Sequence, residues 1–440
     1  MTTPDRSHEF SLEGGRLAAG GGILPLMADM GRALALEPEM RMLGGGNPAP
    51  IPALQALVRR RMADLLADGP AFDRMMVNYD PPRGNPRFLA ALAALLRREY
   101  GWDVGPENLA ITSGGQAAFF YLFNLLGGTF AGGRRKRILL PLCPEYIGYA
   151  DQGLERDLFL ACRPAIETGH GDDDRCFKYR IDFAAVEQAL AHHDVGAIVA
   201  SRPTNPSGNV LTDAEVERLA ALAAARGIPL ILDNAYGAPF PDILFVPARP
   251  FWDRHVILTM SLSKLGLPGT RTGIVVAPEP IAAALAGMTA VVGLANGTIG
   301  QQIVLPWVEG GSILGLGREH LQPFYAAKSA AAAAWARESL EAAGVAWALH
   351  AREGAFFHWL WLPGLRIPTL ELYARLKARK VLTVPGEHFF FGLEGDWPHR
   401  HQCLRLNVSG PADTVREAYA IIAAEAAACA DAAGPSPRLQ

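Results

Sequence analysis

The stretch "SLSKLGLPGTRTG" (residues 261–273) places a lysine among serines and glycines, directly after the run "HVILTM" (255–260). Arg271 follows Lys264 by seven positions. A short, continuously apolar run bounded by turn residues reads as a strand buried on both faces. An ammonium group at the end of such a strand is costly unless it is paired, or is neutral and chemically used. The surrounding pattern decides between these.

Upstream, strands and helices alternate. "NLAIT" (108–112), "RILLPL" (137–142), "AIVASRP" (197–203), "PLILDNA" (229–235), "VILTMS" (256–261) and "GIVVAP" (273–278) read as strands, with "FLACRP" (159–164) as a further candidate. Between them, 86–100, the apolar run after "SGGQ", and 182–193 carry helical periodicity, and Thr212 to Glu215 matches a capping box ahead of another helix. Apolar strands alternating with helices predict an α/β fold, a mostly parallel sheet between helices. After about residue 310 the texture changes to a long alanine-rich helix, an aromatic strand at 354–362, a helix at 369–380, two strands and a terminal helix. This predicts a smaller α+β domain. The expected division is an N-terminal segment at 1–60, a large domain at 61–310, a small domain at 311–430 and a disordered tail at 431–440.

In parallel sheets, ligands bind beyond the carboxyl ends of the strands, and here each strand ends in a chemically distinct group. "SGGQ" (113–116) enters a helix and offers backbone N–H groups to an anion. "SRPTNPSGN" carries Asn205, which by itself reads as an Asn-Pro turn. "DNAYG" carries Asp233 and Tyr236, and its aspartate by itself reads as a helix cap. Lys264 ends the next strand. Together, a phosphate cradle, an amide, a carboxylate, a phenol and an amine suit pyridoxal 5′-phosphate. Its pyridine nitrogen needs a carboxylate, its aldehyde an amine, and its phosphate N–H groups and a cation. A neutral, covalently used Lys264 answers the question that the opening stretch raises.

The ordered series "NYDPPRG", "SGGQ", "PEYIGY", "NPSG", "DNAYG", "SLSK…R" and "LRLN" resembles the class I aminotransferases of pyridoxal-phosphate fold type I, from about residue 43 to 407. The resemblance implies that Lys264 bonds the cofactor and moves the substrate proton, and that Asp233 pairs with the ring nitrogen. Tyr236 and Asn205 would contact the ring oxygen. Gly115, Gln116, Ser261, Ser263 and Arg271 would hold the phosphate. Tyr146 takes the place of the aromatic that stacks on the ring, with Tyr149 as the alternative. Tyr79 matches a tyrosine reaching the phosphate of a neighbouring subunit, which implies a homodimer with shared sites. Arg405 corresponds to the grip on the substrate α-carboxylate, a role whose bidentate geometry favours arginine. Gly46 and Asn47 lie where the N-terminal segment nears that carboxylate. The spacing from Lys264 to Arg271 is one shorter than in aspartate aminotransferase-like members and fits the branch with a proline ahead of the arginine, here Pro268.

Composition bounds the alternatives. The chain has 440 residues, 50% of them hydrophobic, and a net charge of −3, which gives no global field for nucleic acid or membrane. Arg59 to Arg61 and Arg134 to Arg137 are local basic runs, read as a solvated helix face and a loop flank. No run approaches the roughly 18 apolar residues of a membrane span, and the N-terminus shows no signal-peptide core. Five scattered cysteines lack metal spacing and fit a reduced, cytoplasmic protein. A carboxylate clamp at Arg405 argues against decarboxylation, and the stretch ahead of residue 43 is short for an added DNA-binding domain. The expected reaction is amino transfer between a small aliphatic amino acid and a 2-oxo acid, the alternative being other pyridoxal-phosphate chemistry on the same fold, a β-lyase or an aminotransferase of different amino-acid specificity. Individual side chains differing by a methyl group are not told apart by any one residue. The stretch "GGGILPLMADM" (20–30) is expected to fold over the site, with Ile23, Leu24 and Leu26 against the substrate side chain.

Overall fold

The computed structural model describes residues 10–20, 24, 27–29, 31, 37 and 39–430. The expected tail at 431–440, together with Ile23 and Leu26, lies outside the described residues. An eight-stranded sheet forms the centre of the larger body. From one edge it runs Leu109–Thr112, Gly273–Val276, Val256–Ser261, Leu230–Asp233, Val195–Ser201, Arg135–Leu140 and Gly128–Thr129, with Phe159–Ala161 also pairing with Arg135–Leu140. The long strands are parallel except Gly273–Val276, which is antiparallel to both of its neighbours. The central strands Val195–Ser201, Leu230–Asp233 and Val256–Ser261 are buried throughout, as helices on both faces require.

The helices form where local chemistry starts and stops them. Pro86–Tyr100 opens with Pro86 in its first turn and the Asn85 side chain accepting the Phe88 N–H at 3.1 Å, and ends on left-handed Gly101. Its stripe of Phe88, Leu89, Leu92, Leu95 and Leu96 is buried. In the capping box, Thr212 Oγ1 accepts the Glu215 N–H at 3.2 Å while Glu215 Oε2 accepts the Thr212 N–H at 2.8 Å.

The second sheet has six strands: Val384–Pro385, Cys403–Asn407, Phe357–Trp361, Ala348–His350, Cys176–Arg180 and Ala165–Thr168, in that order. Two of them come from the middle of the chain, far from the other four in sequence. The helices Gln322–Ala342 and Ala412–Cys429 pack with this sheet around their own apolar cluster, which includes Ala332, Leu340, Leu360, Leu404 and Tyr419. A buried ion pair ties the two bodies: Lys178 Nζ donates to Glu353, whose Oε2 also accepts the Val210 N–H at 2.9 Å. Removing one partner of a buried pair strands the other's charge. Glu353→Ala is therefore expected to lower stability by about 3–5 kcal/mol, against about 1 kcal/mol for loss of the cap in Thr212→Ala, read as the shift in urea midpoint at constant slope.

Candidate active site

A cavity of about 220 Å³ lies at the carboxyl ends of the central strands, between the two sheets. Register brings its floor together. Ser201 pairs with Asp233, and Asp233 with Thr259, so three strand ends meet side by side. Alternation along the strand then puts Ser261 on the same face as Thr259.

Asp233 is buried at the end of its strand. Its Oδ1 accepts the Ala235 N–H at 3.0 Å and the Thr259 hydroxyl at 3.4 Å, and its Oδ2 accepts the Tyr149 hydroxyl. The carboxylate therefore closes a turn but caps no helix, since no helix begins after it. Burial pushes its pKa up, opposed by the hydrogen bonds from Tyr149 and Ala235. Tyr149 sits behind the wall with its phenol on Asp233. Tyr146 faces the cavity and meets Tyr149 edge-on, with ring centroids 5.2 Å apart at 88°. Of the two tyrosines in "PEYIGY", Tyr146 is the one that presents a ring to the cavity.

Lys264 lies in the turn after Val256–Ser261, where Gly266 adopts a left-handed φ of 98°. Its Nζ donates to Gly46 O at 2.5 Å and lies 5.3 Å from the Tyr236 ring centre. Burial, reinforced by Arg405, pushes its pKa down to about 8, and Asp233 only partly opposes this. The amine thus gives up its proton more readily than an exposed lysine, as a nucleophilic lysine requires.

The end of the cavity at the start of the helix Gly115–Leu126 is built largely from backbone. Gly114 precedes the helix Gly115–Leu126 with a φ of 88°, and a Cβ there would lie 2.3 Å from Arg271 Nη2, so only glycine lets the guanidinium approach. Gly115 and Gln116 supply N–H groups of the helix's first turn, which have no intrahelical acceptor. A Cβ at Gly115 would meet nothing within 4 Å. Opposite, Ser261 Oγ donates to Ser263 Oγ at 3.0 Å. Arg271 reaches this end because its backbone is left-handed, at φ 48° after the turn Pro268–Thr270.

Arg405, on Cys403–Asn407 of the second sheet, enters from the other side and is 4% exposed. Its Nη1 donates to Asn205 Oδ1 at 2.9 Å and its Nη2 to Gly44 O at 2.6 Å, while its Nε has no hydrogen-bond partner among the described residues. These acceptors are neutral, and burial lowers the guanidinium pKa to about 10. A buried cation held on neutral oxygens is poised for an anionic ligand. Asn205, Tyr236 and Gly46 line the same cavity. Asn47 does not; its carbonyl accepts from Asn407 Nδ2 at 3.4 Å. Tyr79 is 82% exposed and lies outside the cavity. Leu24 is likewise exposed and is not in the wall, whereas Met27 is. Sequence reasoning passed over Met27, Phe119, Ser201 and Thr259; for the last two, their place at the ends of apolar strands was the available signal.

A carboxylate, an amine, an open helix N-terminus with a cation, and a second buried cation fit pyridoxal phosphate and an amino-acid carboxylate. Residues 172–422 match the family "Aminotransferase class I and II". The chain belongs to this family, whose members depend on pyridoxal phosphate. It is 46% identical over 416 residues to the valine–pyruvate aminotransferase of Escherichia coli (strain K12), covering 94% of this chain and 97% of that protein. The solved valine–pyruvate aminotransferase from Salmonella typhimurium LT2 superposes with a TM-score of 0.83 at 44% identity, over 92% of this chain and 98% of that one. A single mutant of the Thermus thermophilus aspartate aminotransferase, at 22% identity and a TM-score of 0.73 over 94% of this chain and 100% of that one, shares the fold.

The lowered lysine pKa gives a direct check. In the cofactor-free protein, competitive acylation followed by peptide mapping should show Lys264 reactivity rising through pH 8, while exposed lysines rise near pH 10.5. An inflection of Lys264 at the surface-lysine value would show that the cleft does not depress it.

Proposed function

We propose that this chain catalyses pyridoxal-phosphate-dependent amino transfer from valine to pyruvate, giving 2-oxoisovalerate and alanine. The observation that carries the reading is Arg405, a buried guanidinium on neutral acceptors, in one cavity with Lys264 and Asp233. The near-full-length similarity to a valine–pyruvate aminotransferase supports the substrate pair.

When bound, the cofactor supplies an aldehyde that condenses with amines and a ring that stabilises negative charge at the substrate α-carbon. Asp233 would hold the proton at the pyridine nitrogen. Gly115, Gln116, Ser261, Ser263 and Arg271 would bind the phosphate, Tyr146 would lie over the ring, and Tyr236 with Asn205 would face its oxygen. Arg405 would orient the substrate carboxylate, with Asn205 fixing the guanidinium and Gly46 lying beside it. Lys264 Nζ would take the proton from the substrate α-carbon and return it on the other side of the exchange. The lowered Lys264 pKa suits that task, because a base works best with a pKa close to the operating pH. Lys264→Ala should lose about 10²–10⁴-fold in turnover, measured as alanine formed from valine and pyruvate. Asp233→Asn should keep cofactor but turn over far more slowly. Arg405→Lys should raise KM for valine more than it lowers kcat, because it loses the two-pronged geometry. Absence of alanine formation from valine and pyruvate by the loaded wild-type protein would overturn the substrate assignment.

The active form is a homodimer with shared sites. Support comes from the exposed apolar residues Met76, Val77, Tyr79, Val291, Val292 and Leu294, of which Val291 is 87% exposed. The Thr298 hydroxyl, at the start of the helix that follows Val291 and Val292, donates to Met75 O at 3.2 Å, next to Met76 and Val77. Paired glutamates at Val291 and Val292 should give a monomer in sedimentation and cut activity, because Tyr79 then reaches no partner. A wild-type monomer with full activity at assay concentration would contradict this.

A further inference from the structure

Asn296 is 8% exposed and lies outside the cavity wall, in the segment that joins the helices Glu279–Gly293 and Ile299–Glu309. Its side-chain amide makes three hydrogen bonds. Nδ2 donates to Ile111 O at 2.7 Å and to Pro82 O at 3.1 Å, and Oδ1 accepts the Ser113 hydroxyl at 3.2 Å. Their directions are fixed by the partners. Two backbone carbonyls can only accept, so the NH2 group faces them, and the amide oxygen faces Ser113, which must donate. One side chain thus joins the strand Leu109–Thr112, the loop that follows Tyr79, and the residue ahead of Gly114. Neighbouring contacts hold these pieces as a unit. The Ile111 N–H donates to Arg83 O at 2.8 Å. The buried Gln301 amide accepts the Asn85 N–H at 2.9 Å and donates to Gly297 O at 3.1 Å. A Cβ at Gly300 would lie 2.1 Å from Thr272 Oγ1 and 2.8 Å from Thr270 Oγ1, so the start of the helix Ile299–Glu309 packs directly on both neighbours of Arg271. The segment 296–301 therefore touches both walls of one end of the cavity. One wall is Ser113, whose carbonyl accepts Arg271 Nη2 at 3.4 Å, and the other is the turn that carries the guanidinium.

We propose that Asn296 is a positioning residue for the cofactor phosphate: through Ser113 it fixes the first N–H groups of the helix Gly115–Leu126 against the guanidinium of Arg271. This rests on the reading of that end of the cavity as the phosphate site. The residue type suits the task. A planar amide offers two donors and an acceptor from one rigid, uncharged group, so it can brace two carbonyls and a hydroxyl without adding charge beside an anion. Ser113 is otherwise exposed, and the bond to Asn296 is what ties its side chain to the protein. Donors held in place before the anion arrives bind it more tightly than donors that must be ordered by it.

The test titrates the cofactor-free, full-length protein with pyridoxal phosphate and, separately, with pyridoxal, which lacks the phosphate. It compares wild type, Ser113→Ala, Asn296→Ala and the double variant, with urea midpoints to record folding. Ser113→Ala removes the one bond to Asn296 and should weaken pyridoxal phosphate about two- to tenfold, the worth of a hydrogen bond. Asn296→Ala should weaken it at least as much. The double variant should bind no more weakly than Asn296→Ala, as two residues acting through one contact require. Affinity for pyridoxal should not change in any of them. If Asn296→Ala folds poorly, Ser113→Ala with the two ligands still decides the matter. Wild-type affinity for pyridoxal phosphate in Ser113→Ala, equal losses for both ligands, or additive losses in the double variant would overturn the role of Asn296. A wild-type protein that binds pyridoxal as tightly as pyridoxal phosphate would instead overturn the phosphate reading on which the proposal rests.

Discussion

A carboxylate buried at the end of an apolar strand sets the terms for the whole cleft. Asp233 follows three consecutive aliphatic residues in the middle of the larger sheet, where water is excluded. Such a group stays charged only if donors and cations are assembled around it. The parallel register supplies them. Strands pointing the same way end on the same side, so Ser201, Asp233 and Thr259 arrive in one row, and the turn after Ser261 carries Lys264 over it. Antiparallel neighbours would alternate their ends between the two sides of the sheet. The one long antiparallel strand, Gly273–Val276, lies next to the edge and serves another purpose: it returns the chain from the Lys264 turn and sets Arg271 beside Gly114.

The second sheet completes the site from across the gap. Arg405 spans it, bonding Asn205 of the larger body and Gly44 of the segment that runs along the smaller one. A cavity between two bodies is where a small ligand can be buried on most sides. The arginine also acts at a distance, because its charge is the second cause, after burial, of the lowered Lys264 pKa. One residue thereby recognises an anion and helps keep the nearby amine reactive.

What could be read from the sequence follows from how local its cause is. The Thr212–Glu215 box was legible because its bonds close within three residues. The Lys264 site was legible because a charged residue after an apolar strand is a local contradiction. The strands Ala165–Thr168 and Cys176–Arg180 were not separated from loops. Their segment, "AIETGHGDDDRCFKYR", is polar, and the inner strand of the pair finds its other neighbour in Ala348–His350, far along the chain. The N-terminal stretch shows the same limit. Apolar composition pointed to Leu24, which is exposed and outside the wall, while Met27 lines the cavity. Its place is set by Asp29 two positions on, which pairs with Lys377 at 2.7 Å and accepts the Tyr373 hydroxyl at 2.8 Å. No local pattern announces a partner more than three hundred residues away.

The charges lining the cavity explain why this arrangement tolerates so many buried ions. Among the described residues, Lys264, Arg271 and Arg405 face one lining carboxylate, that of Asp233. Left alone, that imbalance is unfavourable: after burial, the Arg405 charge is the next cause of the lowered Lys264 pKa, while burial lowers that of Arg405. A phosphate near Arg271 and an α-carboxylate at Arg405 would bring the missing negative charge to opposite ends, while Asp233 answers a protonated ring between them. The protein therefore carries its electrostatic strain in the direction that its two anionic ligands relieve, and part of their binding energy is stored in the fold before they arrive.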